Sequence, residues 1–439
     1  MNDFPNFLRH SMQSIIHDMS QNNKMFVVDP EKDFTRNRKL NFKDMINIIL
    51  SMGGKSIYSE LLDYTGYAVD TPTPSGFVQQ RSKLLPYAFE YLFNNFTNTY
   101  TKLKTFNGYR MLAVDGSTLI CAANPNEPDS YTKLNQYDKR YNQLHLNALY
   151  DICNRLYLDC IVQANRKQNE YEALIRMTER SEIDGKVIIL ADRGYESYNI
   201  LEHLNRKGWN YVIRGKDINS KTGIPYGNRE VVPNSDEFDI DVNKVLTKRS
   251  TIEIKAHPEK YKWMPQHARF DFMDKSNPFY PISFRMVRFK ISEGQYETVL
   301  TNLNRNEFSA EQIKKIYCLR WGIETSFREL KYALGLNSLH TKKSNFIAQE
   351  LFARLTMYNF CEMITLNVLI KKRDTKHNYQ VNFTVAISIC IRFFRCRSNI
   401  PPPDVEALIQ KNVLPIRDGR NYTRNVRSSR PISFIYRIS

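Results

Sequence analysis

Five consecutive apolar residues, Val187-Ile188-Ile189-Leu190-Ala191, run without a polar interruption into Asp192-Arg193-Gly194-Tyr195. Side chains of a strand alternate between two faces, so a strand apolar on both must be covered on both, as happens inside α/β sheets. Upstream, Met111-Leu112-Ala113-Val114 leads in the same way into Asp115-Gly116-Ser117. In an open α/β sheet, functional groups sit where strands leave the core, and a following glycine permits close approach. A lone aspartate there is most simply a cap or turn residue; two in one sheet are candidate functional acids.

The surrounding pattern fits that architecture. Residues 110–122, 143–151 and 155–162 read as strands, 169–183 as a helix, 187–191 as a strand, 196–207 as a helix and 209–214 as a strand. Three early strands followed by strand-helix alternation predict a mixed sheet covered by helices. Residues 215–304 are irregular and β-rich, with alternation over 251–255 and a hairpin of 282–291 with 296–300 around Gly294. This segment reads as an insertion. The first hundred residues read as helical, with helices over 42–52, 56–64 and 75–84. There, Gln79, Gln80, Arg81 and Lys83 either read DNA from a helix-turn-helix-like unit or form the solvated face of a plain bundle.

Composition narrows the partner. The chain of 439 residues carries a formal charge of +17. Residues 1–200 hold 23 basic and 23 acidic side chains, whereas residues 201–439 hold 40 and 23. Charge concentrated in this way points to a polyanion, nucleic acid first and an anionic membrane surface second. The best membrane candidate, residues 352–370, carries Arg354 and Glu362 and is too interrupted to span. The N-terminus lacks a basic stretch followed by an apolar one, and seven cysteines without C-x-x-C spacing suit a reducing compartment. The expected location is cytoplasmic and nucleoid-associated.

A third acid lies within residues 309–334, read as one helix with a Ser309/Gln312 capping box. At about 100° per residue, Tyr317, Arg320, Glu324 and Lys331 share one stripe. Leu319, Leu330, Ile323, Ile316, Leu334 and Phe327 occupy the adjacent, core-facing stripe. Arg320 and Glu324 alone would be an ordinary i,i+4 pair. Three carboxylates from separate elements, however, can hold two Mg²⁺ ions for phosphodiester chemistry, with Arg and Lys neutralising phosphate.

Tyr317, Arg320, Glu324 and Lys331 reproduce the spacing Y-x(2)-R-x(3)-E-x(6)-K, which resembles the YREK signature of DDE transposases from bacterial insertion sequences. Asp115-Gly116-Ser117 and Asp192-Arg193-Gly194-Tyr195 are similar to that family's first and second aspartate motifs. The resemblance, covering about residues 40–365, implies an RNase H-like α/β core: a mixed sheet flanked by helices, with a β-rich insertion and helical N- and C-terminal regions. The implied division is 1–107 for a helical DNA-binding region, 108–214 and 305–370 for the core, 215–304 for the insertion, and 371–439 for a basic C-terminal region.

Asp115, Asp192 and Glu324 would then be the catalytic, metal-binding triad, loaded with Mg²⁺ or, as a substitute, Mn²⁺. Tyr317, Arg320 and Lys331 would hold DNA near the cleaved ends, with Arg193 and Arg328 beside them. Implied partners are terminal inverted repeats, target DNA and a second copy of the chain in a synaptic dimer, without a membrane. Trp263 is a candidate for holding a flipped base, with Phe279 and Tyr280 equally placed. His145, on a core strand beside the acids, reads as structural.

Three rivals remain. A haloacid-dehalogenase-type phosphatase needs a second aspartate where Ser117 stands. A non-catalytic DNA-binding derivative predicts a damaged triad, whereas all three acids are present. A structure-specific nuclease on the same core would cut without joining.

Overall fold

The computed structural model describes residues 2–36, 38–133, 140–368, 378–396 and 401–416. The arginine-spaced tail from Arg417 to Arg437 lies outside the described residues.

Five helices come first: α1 (Asp3–Gln21), α2 (Phe42–Ser51), α3 (Ile57–Thr65), α4 (Pro74–Arg81) and α5 (Tyr87–Asn98). The chain then forms β1 (Arg110–Cys121), β2 (Tyr131–Thr132), β3 (Tyr141–Asp151), β4 (Leu156–Ala164), α6 (Glu170–Glu179), β5 (Val187–Ala191), α7 (Tyr198–Lys207) and β6 (Asn210–Arg214). Next are β7 (Phe238–Thr247), α8 (Ile252–Ala256), β8 (Tyr261–Trp263), β9 (Phe279–Ser292) and β10 (Gln295–Thr301). The last group is α9 (Ala310–Cys318), α10 (Trp321–Arg328), α11 (Ser344–Asn367), β11 (Tyr379–Val381), α12 (Phe383–Arg395), α13 (Val405–Lys411) and β12 (Val413–Pro415).

Ten strands make one mixed sheet in the order β2-β3-β1-β5-β6-β10-β9-β7-β8, with β4 also pairing β3. The strands of the β-rich segment 215–304 therefore continue the same sheet beyond β6. β5 runs parallel to both β1 and β6, and β1 and β3 are antiparallel. Alternation along β5 sends Ile189 and Ala191 to a core shared with α6 and α7, and Ile188 and Leu190 to a core shared with α9. The fully apolar strand is covered on both faces, as its composition requires.

α1–α5 share one apolar core with α10–α13. Its polar fastening is Arg81, only 1 % exposed, which pairs with Glu350 at 2.8 Å and donates to Gln349 and to the Phe346 carbonyl. Gln80 is buried too. The helix-turn-helix reader built on Gln80 and Arg81 is thereby corrected: those two side chains face α11 inside the protein, and α4 belongs to a helical bundle. α11 carries Arg354 and Glu362 because it too is buried along its length. Among the described residues, no helix is long and apolar enough to cross a membrane.

Two further expectations are revised. Residues 251–255 form the short helix α8, started by the Thr251 side chain accepting the Ile254 N–H. The segment 309–334 is not one helix. Its capping box is present at Ser309 and Gln312, but the bonds Leu319 N–H to Ile316 O and Arg320 N–H to Tyr317 O tighten the chain into a 3₁₀ turn between α9 and α10. Past α10, Glu329–Ala333 widen into a π-turn. The overwound turn rotates Leu319 out to 39 % exposure, while Ile316, Ile323, Phe327, Leu330 and Leu334 stay buried.

Candidate functional site: an acid cluster bridged by Arg320

β1 does not end at Asp115. It continues to Cys121 because β3 pairs with it throughout, Asp115 opposite Ala148 and Cys121 opposite Asn142. The ladder to β5 does end here: its last pair is Ala113 with Leu190. Two residues beyond that pair on each strand stand Asp115 and Asp192, level with one another where the parallel partners part. Alternation points Asp115 with Met111 and Ala113 toward the face where α9 and α10 lie, and Asp192, extended at ψ −180°, continues the series Ile188, Leu190.

α10 brings the third acid to that face. Arg320, 5 % exposed, lies between two carboxylates: Nη2 donates to Glu324 Oε1 at 2.9 Å and Nη1 stands 3.8 Å from Asp115 Oδ2. Its guanidinium also lies over the Trp321 ring at 4.9 Å. Burial pushes the Asp115 carboxyl up to about 6; the Gly116 N–H and Arg320 oppose this, while Asp192 and Glu324 reinforce it. One arginine thus leaves three mutually repelling acids incompletely neutralised. Among the described residues, no three His, Cys, Asp or Glu side chains are gathered closely enough to hold an ion. The donors are hard carboxylate oxygens, a set suited to a divalent cation.

The remaining predicted residues fall into three situations. Tyr317 is buried behind Arg320, and burial raises its hydroxyl to about 12. Lys331 sits in the π-turn, where burial lowers the pKa of its ammonium. Arg193 and Arg328 are exposed beside the acids' elements, Arg328 donating to Thr325. Trp263 is brought no nearer: β8 is the sheet edge four strands beyond β6, where the ring is 47 % exposed. Phe279 is partly exposed, and Tyr280 is bound to Glu202 and Arg206.

Sequence reasoning missed Glu170 and Tyr195 and read His145 as structural. All three border the acids. His145 Nε2 stands 2.8 Å from Glu170 Oε1. The available signal was the pair Gly116 and Gly194, one directly after Asp115 and the other two places after Asp192, each leaving room for a neighbour.

A family profile described as the transposase DDE domain matches residues 106–360, a span holding Asp115, Asp192, Glu324 and Lys331. The chain is 42% identical over 57 residues to the putative transposase InsL of insertion sequence element IS186A from Escherichia coli K12, 13% of this chain and 15% of that protein. The same figures describe its match to the transposase of insertion sequence element IS421 of Escherichia coli. The chain thus spans about a seventh of the length of these curated relatives. Among solved structures, a piggyBac transposase synaptic complex with hairpin DNA aligns over 98% of this chain and 88% of that one, at TM-score 0.46 and 11% identity. With the profile covering more than half of its length, this chain belongs to the transposase DDE-domain family.

Proposed function

We propose that the protein is an insertion-sequence transposase that cleaves phosphodiester bonds at the terminal inverted repeats of its element and joins the freed 3′ ends to target DNA. The observation carrying this reading is the convergence of Asp115 and Glu324 on Arg320, with Asp192 at the neighbouring strand end, inside the segment that matches the family. The strand order β3-β1-β5-β6 supports an RNase H-like core.

Asp115, Asp192 and Glu324 would hold Mg²⁺, or Mn²⁺ in its place. When bound, such a cation supplies Lewis-acid activation of the phosphodiester and of the attacking water. The chain's own residues do the rest. Arg320 keeps the acids from repelling one another before DNA arrives and neutralises phosphate afterwards. Lys331 contributes a positive charge whose burial makes it cheaper to desolvate against a phosphate. Tyr317 props Arg320 from below, and Arg193 and Arg328 offer exposed charge to the flanking backbone. A synaptic dimer would bring two element ends together.

Incubating the protein and Mg²⁺ with a donor plasmid carrying candidate ends, then sequencing the products, tests this. Joined donor-target products support transposition; nicks without joining favour a nuclease on the same core. Glu324→Ala should lose cleavage while keeping end binding, and Mg²⁺-dependent cleavage by that variant would refute the assignment.

A further inference from the structure

Gly116 and Gly194 approach the acids more closely than any side chain would permit. A Cβ on Gly116 would stand 2.2 Å from His145 Nε2 and 2.6 Å from Glu170 Oε1. One on Gly194 would stand 2.8 Å from Asp192 Oδ1 and 3.6 Å from Glu170 Oε2. Glu170 therefore lies between the residue after Asp115 and the turn that carries Asp192, with one oxygen toward each. Its own backbone is fixed: it is the first residue of α6, whose cap, Asn169, accepts the Glu172 N–H and is itself held by the Gln163 side chain.

Two buried polar groups adjoin this carboxylate without being satisfied by it. His145 is 5 % exposed, and its 2.8 Å approach to Glu170 is off line, so that neither ring nitrogen makes a hydrogen bond among the described residues. Tyr195 is fully buried, and its hydroxyl has no hydrogen-bond partner among the described residues. Buried polar atoms without partners are rare in folded proteins and call for a specific occupant. Here the His145 ring stands against the Glu170 carboxylate, and Tyr195 follows Gly194 in the turn that carries Asp192.

We propose that Glu170, with His145 Nε2 beside it, is a fourth acid of the site and supports the hydration shell of a divalent cation held by Asp115 and Asp192. The inference rests on the proposed cleavage site and adds a residue to it. Divalent cations such as Mg²⁺ keep several waters when few carboxylates bind them, and those waters need acceptors. Groups that support a metal's ligands from outside matter nearly as much as the ligands, and their loss costs about ten- to a hundredfold in metal affinity or activity.

Calorimetric titration of the full chain with Mn²⁺, without DNA, tests the assignment. Glu170→Gln should weaken Mn²⁺ binding about tenfold or more, Glu170→Asp should fall between it and the parent, and Asp192→Asn should weaken binding at least as much. The metal-free unfolding midpoint of Glu170→Gln should stay near that of the parent. If Asp192→Asn weakens binding and both Glu170 variants do not, the role of Glu170 is overturned and the site reading stands. If none of the variants weakens it, or the parent takes up no Mn²⁺, both fall.

Discussion

Arg81 and Arg320 are both buried arginines that meet glutamates, Arg81 at Glu350 and Arg320 at Glu324. Around Glu350 the arginines alone outnumber the acid, Arg81 at 2.8 Å and Arg354 at 3.6 Å, and His340 Nδ1 stands at 3.1 Å. Despite complete burial, these neighbours hold the Glu350 carboxyl far below the usual range. Around Arg320 the balance is reversed. One guanidinium serves Asp115 and Glu324 with Asp192 nearby, and Asp115 is pushed up instead. The first cluster is saturated and joins α4 to α11. The second is left short of positive charge where the strands part, as a site awaiting a cation or a phosphate would be.

Removing an acid should therefore have opposite effects in the two places. Glu350→Gln leaves Arg81 and Arg354 buried without this counter-ion and should cost about 3–5 kcal/mol of stability in denaturant unfolding. A loss below about 1 kcal/mol would break the contrast.

Asp115→Asn should do the reverse. The folded-state carboxyl, at about 6, lies above its ordinary unfolded value, so the folded state binds the proton more tightly. Stability from this group is fully present below about pH 4 and is lost as pH rises through about 6. The variant should thus be more stable than the parent above pH 6, by about 2–3 kcal/mol, with the difference vanishing below about pH 4. Paired unfolding curves across that window isolate Asp115 from other buried acids such as Glu362, which burial raises to about 8. An advantage that is flat with pH would contradict the electrostatic account.

Lys331→Ala should have the smallest effect: weaker binding of element ends and a salt-dependence slope reduced by about one unit. An unchanged slope would remove Lys331 from the phosphate contacts.

What was legible in the sequence follows from how local each cause is. β5 and Asp192 were readable because an all-apolar run has few other fates. The strand over 110–122 was readable too, but Asp115 was set at a strand end rather than within it, because Gly116-Ser117 resembles a turn and is kept extended by β3, whose partner residues lie about 30 positions away. Arg81 looked like a side chain available to DNA because Glu350, 269 residues later, cannot be seen from α4. In the signature segment the pairing of Arg320 with Glu324 survived the projection, being set within one turn. Leu319 did not, because a 3₁₀ turn intervenes. Glu170 was missed because an acid in the first turn of a helix is ordinary; only the adjoining Gly116 and Gly194 mark it out.

The π-turn at Glu329–Ala333 bears on how motif spacing is read as a ruler. Leu334 N–H reaches back to Glu329 O, five residues rather than four, so this turn stores one residue of slack between Glu324 and Lys331. Loss of a single residue here would convert the turn to ordinary helix while keeping the lysine on much the same bearing. A chain with its lysine six places after its glutamate could thus present the same charge, and a search that counts residues rather than turns would pass it over.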